Sequence, residues 1–350
     1  MSIGVAIIGS GIFVQEEHLP AVKLCPELNL KAIYSRSLKS AKSLDVAVDL
    51  YSDDSGSGKT YHDLLLREDI HAVIVALPIL SQPEYIEAAL AAGKHVLSEK
   101  PIAENVKRAQ KLIEYYQSDK VKEGATWAVA ENFRFLDSFQ TGRREVERLG
   151  RVLGFSMSLY TCLHQGDKYL ETSWRKKPDH QGGFLLDGGV HFIAAMRLML
   201  GESAKPISLS AHTSLAQDYL PPVDTINSIW ETKSGVSGTF LCSFGTTLSG
   251  NEYTVACEKG SVTVAPAAPG VKKLIVREGE QKHGKFTEKE FPDDGNGVKQ
   301  EVKAWAESLK AGKANPAQSP EQALADLEIL EKMLRSGEAH GQTQALQFQL

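Results

Sequence analysis

Three short stretches hold residues whose types and spacing can do chemistry. The first, GSGIFV from Gly9 to Val14, supplies a G-x-G turn at Gly9 and Gly11. In such a turn the first glycine permits a tight bend and the second permits close approach of a pyrophosphate, which the free N–H groups of a following helix attract. The third glycine position is Val14, where a small apolar residue is tolerated because that position only helps the helix pack on the sheet. The second stretch, GKHVLSEKPIA from Gly93 to Ala103, places Lys100 just beyond an apolar strand, and Pro101 after it permits a cis peptide bond. The third, WRKKPDHQGGFLLDGGVH from Trp174 to His191, sets Asp187 and His191 four residues apart, so on a helix they share a face. Its glycine pairs, Gly182-Gly183 and Gly188-Gly189, allow close backbone approach nearby.

These groups need elements to position them. The first third of the chain alternates strand and helix signals. IGVAIIG, LKAIYSR, DIHAVIVALP, KHVLSEKP and TWAVAENFRF read as buried strands, separated by helical stretches such as SQPEYIEAALAAG and AENVKRAQKLIEYYQS. That order argues for a doubly wound parallel sheet over residues 1–127, which binds ligands at the carboxyl ends of its strands. Gly9, Gly11, Ile12, Phe13, Leu77, Pro78 and Lys100 all follow such ends. The second strand ends at Tyr34-Ser35-Arg36-Ser37. A carboxylate there would accept the ribose 2′-OH of NAD, whereas a guanidinium between hydroxyls suits a 2′-phosphate. Ser35 and Arg36 therefore favour NADP(H) over NAD(H). Residues 128–350 read as an α+β domain: a helix, a run of mainly antiparallel strands to about residue 290 forming a large open sheet, then two helices that pack back on the first domain. Ser319 and Pro320 mark the start of the last helix.

Composition narrows the function classes. The 350 residues are 42% hydrophobic and 24% charged, with a formal charge of −5 and no basic stripe or tail, which argues against nucleic acid as a partner. Cys25, Cys162, Cys242 and Cys257 are far apart and form no C-x-x-C pair, so neither a metal site nor a disulfide framework is expected. Reduced thiols and an N-terminus without a signal-like or membrane-spanning run point to a cytoplasmic chain with no membrane partner. The SGSGKT stretch looks like the end of a phosphate-binding P-loop, yet five residues before Gly58 stands Asp53 where a glycine is needed. It reads as a polar surface loop, which leaves an NTP-using enzyme as a minor rival.

Taken together, GSGIF, EKP, AENFRF (Ala130–Phe135) and GGFLLDGGVH resemble the Gfo/Idh/MocA oxidoreductase family, and the likeness extends over nearly the whole chain. The WRKKP…GGFLLDGGVH wording is especially similar to fungal NADP(H)-dependent members. The resemblance implies an N-terminal Rossmann domain and a C-terminal open sheet that often forms oligomer contacts, hence a homodimer or higher assembly. It also implies catalytic roles for Lys100, Asp187 and His191. Hydride transfer to a carbonyl leaves negative charge on oxygen, which must be stabilised and protonated. The resemblance gives Lys100 the oxygen and His191 the proton, with Asp187 orienting His191 or binding a substrate hydroxyl. Glu99 and Asn132 are expected near the nicotinamide ribose or carboxamide, and Tyr169, Trp174 and Arg175 along the substrate pocket.

The chain departs from the family pattern at Ala194, where an acid is usual, and at Gln82, near which a histidine is usual; both bear on substrate identity. The expected function is NADP(H)-dependent hydride transfer to or from a small sugar, polyol or other carbonyl or alcohol. A non-catalytic NADP-binding sensor or regulator of the same family is the alternative. Within the enzyme class, a tightly held cofactor serving two half-reactions is the runner-up.

Overall fold

The computed structural model describes residues 2–279 and 284–350. The chain divides into two compact units, Met1–Glu131 with Val298–Leu324, and Asn132–Gly297 with Ala325–Leu350.

The first unit is built on six parallel strands: β1 (Ile3–Ile8), β2 (Leu28–Ser35), β3 (Asp49–Ser52), β4 (Ala72–Val75), β5 (His95–Glu99) and β6 (Trp127–Ala130). Their order, β3-β2-β1-β4-β5-β6, is that of a doubly wound nucleotide-binding sheet. The apolar runs behave as expected of strands covered on both faces, with Val5 to Ile8 and Ala72 to Val75 all 0% exposed. Helices connect the strands on either side, and local chemistry sets their ends. Asn105 accepts from Arg108 N at the start of Val106–Tyr116, and Thr60 and Asp63 form a reciprocal cap on Tyr61–Leu65. The helix Val298–Ala311 belongs to this unit. Its Val298, Val302, Trp305 and Ala306 join Val5, Ile7, Leu19 and Val22 in one apolar cluster.

β3 was not expected as a strand. It is a four-residue edge strand whose first two residues stay partly or fully exposed, so it lacks an apolar run. The SGSGKT loop that follows is a turn whose Lys59 and Thr60 side chains are engaged within the chain. Lys59 lies 4.6 Å over the Tyr51 ring and 3.7 Å from Asp49, and Thr60 is occupied in its helix cap.

Among its described residues the second unit carries nine strands: β7 (Val152–Cys162), β8 (Pro206–Ser214), β9 (Thr225–Thr232), β10 (Ser237–Ser243), β11 (Gly245–Cys257), β12 (Gly260–Ala268), β13 (Val271–Glu278), β14 (Lys285–Phe291) and β15 (Gln344–Ala345). They run β14-β13-β12-β11-β7-β10-β9-β8-β15, antiparallel except where β10 pairs with β7 in parallel. β14 carries no strand signal in the sequence because KFTEKEF is exposed at six of its seven positions and has no apolar face.

The helices Asp137–Leu149 and Gly183–Leu200 cover one face of this sheet. The buried carboxylate of Asp294 accepts from Asp137 N and Ser138 N and so caps the first of them from outside its own sequence. Gly183–Leu200 is long and apolar enough to cross a membrane, but 72% of it is buried inside the protein, as a core helix is.

A buried ionic cluster ties this unit to the C-terminal tail. Asp326 pairs with both Arg134 and Arg197, and Arg197 Nε donates to Gln349 at 2.9 Å. Glu328, 0% exposed, accepts from the backbone N–H groups of Gln347 and Phe348. Removing one member of such a cluster strands the other charges in low dielectric. Asp326→Leu is therefore expected to lower stability by about 3–5 kcal/mol in denaturant unfolding, far beyond an exposed pair such as Arg143–Glu147 broken by Glu147→Ala, at about 0.5 kcal/mol. Equal losses would show that the cluster carries no special energy.

Candidate active site

The carboxyl ends of β1, β2, β4 and β5 lie along one edge of the parallel sheet, and the candidate cofactor residues follow them. Gly9 has φ +128°, and a Cβ there would stand 2.2 Å from the carbonyl oxygen of Ala76, just after β4. Only glycine fits this position. Its N–H donates to Tyr34 O at 2.8 Å, tying the turn to β2 as well. Gly11 is different: it is exposed, and no atom of the described residues lies within 4 Å of its Cβ position. That open space is where a pyrophosphate can approach the backbone, so the turn fits a dinucleotide. Ile12 and Phe13 open the helix beyond it, and Leu77 Cδ2 lies 3.6 Å from the Gly9 Cβ position, with Pro78 next in the chain.

At the end of β2, Ser35 is buried and its hydroxyl bonds Ser10 Oγ at 2.7 Å. Arg36 is exposed, and no hydrogen bond or ion pair engages its guanidinium among the described residues. The second flanking hydroxyl, Ser37, caps the short helix after it by accepting from Ser40 N. Two carboxylates close by are engaged elsewhere. Asp53 accepts from the Tyr34 hydroxyl at 2.6 Å, and Asp54 accepts from Leu38 N and Ser52 Oγ, contacts that hold its pKa below the ordinary value. Tyr34, Tyr61 and Tyr85 pack ring to ring beneath this corner. Burial, with the Asp53 and Tyr85 contacts, raises the Tyr34 phenol well above its usual range.

β5 ends at Glu99, whose Oε1 lies 2.6 Å from His18 Nε2. Lys100 follows, half-buried, with a cis peptide bond to Pro101. Nothing in the chain's periodicity announced His18. Its only signal was a polar residue inside an otherwise apolar helix face.

In the second unit, Asp187 and His191 stand one turn apart on Gly183–Leu200. Asp187 is buried and pairs with Arg175 Nε at 2.7 Å. Arg175 in turn lies 4.1 Å over the Trp174 ring and 5.5 Å from that of Tyr169, so these four candidates form one cluster. Trp174 is half-exposed and thus no core residue. His191 is half-buried and stacks on Phe133 at 4.9 Å and 18°. Lys272 Nζ lies 5.7 Å from the centre of the same Phe133 ring, and burial lowers its pKa. Phe133 and Lys272 were not foreseen, although Phe133 sits within AENFRF. Asn132 is buried and donates to Asn296 O at 2.6 Å.

The glycines of this helix permit the close approach expected of them. A Cβ on Gly183 would meet Pro221 O at 2.2 Å, one on Gly188 would meet Phe244 at 2.8 Å, and one on Gly189 would meet Leu330 at 3.3 Å. The close approach they permit is to the protein itself. Among the described residues no group of three His, Cys, Asp or Glu side chains could hold a metal ion.

Comparison with known proteins identifies the family. A family model described as an oxidoreductase family NAD-binding Rossmann fold matches residues 3–124, and its companion, the C-terminal alpha/beta domain, matches residues 144–343. The chain belongs to the Gfo/Idh/MocA oxidoreductase family. A member from Fusarium mangiferae, the dehydrogenase FPY6, is 40% identical over 99% of this chain and 100% of its own. A solved oxidoreductase from Thermotoga maritima superposes with a TM-score of 0.83 at 31% identity, covering 99% of this chain and 98% of that one. The 3-ketoreductase KijD10 of Actinomadura kijaniata, solved with NADP and TDP-benzene, shares the fold at a TM-score of 0.75 and 24% identity, over 96% and 98% of the two chains. The protein is thus an oxidoreductase of this Gfo/Idh/MocA type with an NAD(P)-binding fold.

The two turn glycines make separable predictions. Gly9→Ala forces a Cβ into a backbone carbonyl at positive φ and is expected to lower the melting temperature by several degrees, about 2 kcal/mol or more. Gly11→Ala meets no atom of the chain, so its melting temperature should match wild type while dinucleotide affinity falls. Equal melting shifts in the two variants would contradict the division of roles.

Proposed function

We propose that this protein is an NADP(H)-dependent oxidoreductase that moves a hydride between the nicotinamide and a small sugar, polyol or other carbonyl or alcohol substrate. The observation that carries the reading is Lys100, set immediately after Glu99 on the sheet edge that also bears the open turn at Gly11. When bound, the cofactor supplies or accepts the hydride. The chain's own groups handle what remains. Lys100 donates a hydrogen bond to the substrate oxygen and stabilises the negative charge that develops on it. His191 gives the proton to that oxygen in reduction and takes it in oxidation, a role suited to an imidazole near neutral pH. Phe133, stacked on the ring, limits its rotation. Asp187 serves through Arg175, which it holds beside Trp174 and Tyr169, the residues this reading assigns to the substrate. Glu99 and Asn132 contribute to the cofactor side.

NADP(H) is favoured over NAD(H) by the exposed, unengaged guanidinium of Arg36 and by the absence of a carboxylate at the end of β2. The same reading makes the protein a cytoplasmic homodimer or higher oligomer acting on a small molecule. Support comes from its four free cysteines and from the outer face of the nine-stranded sheet, where Ile229 is 57% exposed beside the fully buried Trp230.

Two measurements test this. A panel of carbonyls and polyols assayed at 340 nm with NADPH and NADH is expected to reveal turnover that Lys100→Ala reduces by at least about a hundredfold, the scale of losing one charge-stabilising donor. Cofactor binding with no turnover anywhere in the panel would favour a sensor, and an unchanged rate in Lys100→Ala would remove that residue from catalysis. Arg36→Ala should weaken NADPH by roughly tenfold or more, the value of a charge-assisted contact to phosphate, and leave NADH nearly unaffected. Equal losses for both cofactors would reject the role given to Arg36.

A further inference from the structure

The helix after the glycine turn does not run as a uniform α-helix. It widens over Val14–His18 into a π-helical turn and then continues as Leu19–Leu24. A π turn carries an extra residue and re-aims the side chains on it, and such turns concentrate at functional sites. This one sends His18 into the interior. Its side chain is 0% exposed, Nε2 lies 2.6 Å from Glu99 Oε1, and Phe13 packs edge-on against the ring at 5.4 Å. Nδ1 is buried with no hydrogen-bond partner among the described residues. A proton on Nδ1 would be a buried donor without an acceptor, so the ring carries its proton on Nε2 and donates it to Glu99. Glu99 Oε2 has no hydrogen-bond partner among the described residues, and the side chain is 12% exposed. One carboxylate oxygen is thus anchored from within and the other is left for something outside.

We propose that His18 is a positioning residue for Glu99. By holding Oε1 it fixes the carboxylate before any ligand arrives and presents Oε2 to a hydroxyl of the bound dinucleotide, the ribose diol being the matching chemistry. The inference rests on the dinucleotide reading above. A free glutamate would lose rotamer freedom on binding, and one already immobilised does not. The same anchor fixes the end of β5, from which Lys100 extends.

The test uses the full chain, with NADPH and NADH affinities read by fluorescence and the melting temperature of the cofactor-free protein read in parallel. His18→Met keeps the volume and removes the donor, whereas His18→Gln keeps an N–H at similar reach. His18→Met is expected to weaken both cofactors about tenfold or more, the scale of a hydrogen bond to a charged group. His18→Gln should restore affinity to within about threefold, and in a Glu99→Ala background His18→Met should change it less than about twofold. A purely structural histidine would shift melting alone, or add its full loss in the Glu99→Ala background, and either result overturns the proposal. Should His18→Met not fold, the imidazole nitrogen resonances of the cofactor-free wild type decide: an Nε2–H tautomer is expected, and an Nδ1–H tautomer overturns the pairing. Failure of the dinucleotide reading looks different, as no binding by the wild-type chain, and would overturn both.

Discussion

A single backbone crossing governs the cofactor half of this molecule. The carbonyl oxygen of Ala76 stands where residue 9 would carry a Cβ, 2.2 Å away, while Gly9 N–H reaches across to Tyr34 O. β1 lies between β2 and β4, and the sheet order reverses direction there, so the turn leaving β1 must clear both neighbours in one step. Any side chain at residue 9 would push the turn off β4. With glycine, the chain escapes close to the sheet and leaves the next glycine, Gly11, in open space. The open turn is thus a by-product of how tightly three parallel strands must be packed at their carboxyl ends. Ser10 and Ser35 then join hydroxyls across the same corner and tie the end of β2 to the turn.

The second unit solves a comparable problem on a helix. Gly183–Leu200 must carry polar Asp187 and His191 while being buried over most of its length. It manages this by approaching Pro221, Phe244 and Leu330 through glycines, with no side chains between. Each close approach fixes the helix's rotation, and rotation decides which side Asp187 and His191 face. The ion pair with Arg175 and the stack on Phe133 then hold the two polar residues from different directions. A charged residue on a buried helix survives only if paired, and Arg175 supplies the pairing for Asp187 as Asp326 does for Arg197 on the same helix.

Much of this could be read from the residues, and the gaps have physical causes. Parallel strands buried on both faces announce themselves as apolar runs, so β1, β2, β4, β5 and β6 were legible, whereas β3 and β14 are edge strands that bury too little to leave a pattern. The glycine turn, Lys100 and the Asp187–His191 spacing are local in sequence and were legible too. What escaped were pairings between residues far apart in the chain: His18 with Glu99 at a separation of 81, Asp294 capping residues 137 and 138, and Lys272 over Phe133. No local periodicity encodes such partners. The glycine pairs in GGFLLDGGVH were legible as sites of close approach, but a sequence does not say whether the approaching atoms belong to a ligand or to Pro221 and Phe244.

The distribution of engaged and unengaged charge is the argument that bears most on cofactor choice. Counted by type, the corner beyond β2 and β3 looks unfriendly to a phosphate, since Asp53 and Asp54 outnumber Arg36. Counted by engagement, it looks different. Asp53 accepts from the buried Tyr34 phenol, and Asp54 accepts from Leu38 N and Ser52 Oγ. Neither carboxylate pairs with Arg36. A carboxylate meant for a ribose 2′-OH should stand with acceptor oxygens free at the end of β2, and that position holds Ser35 and Arg36 instead. The guanidinium keeps its full set of donors for an outside anion, while the Asp54 contact takes the Leu38 N–H that a phosphate could otherwise use. Under the proposed NADP(H) reading, a 2′-phosphate here would be held by the side chain of Arg36 more than by the backbone.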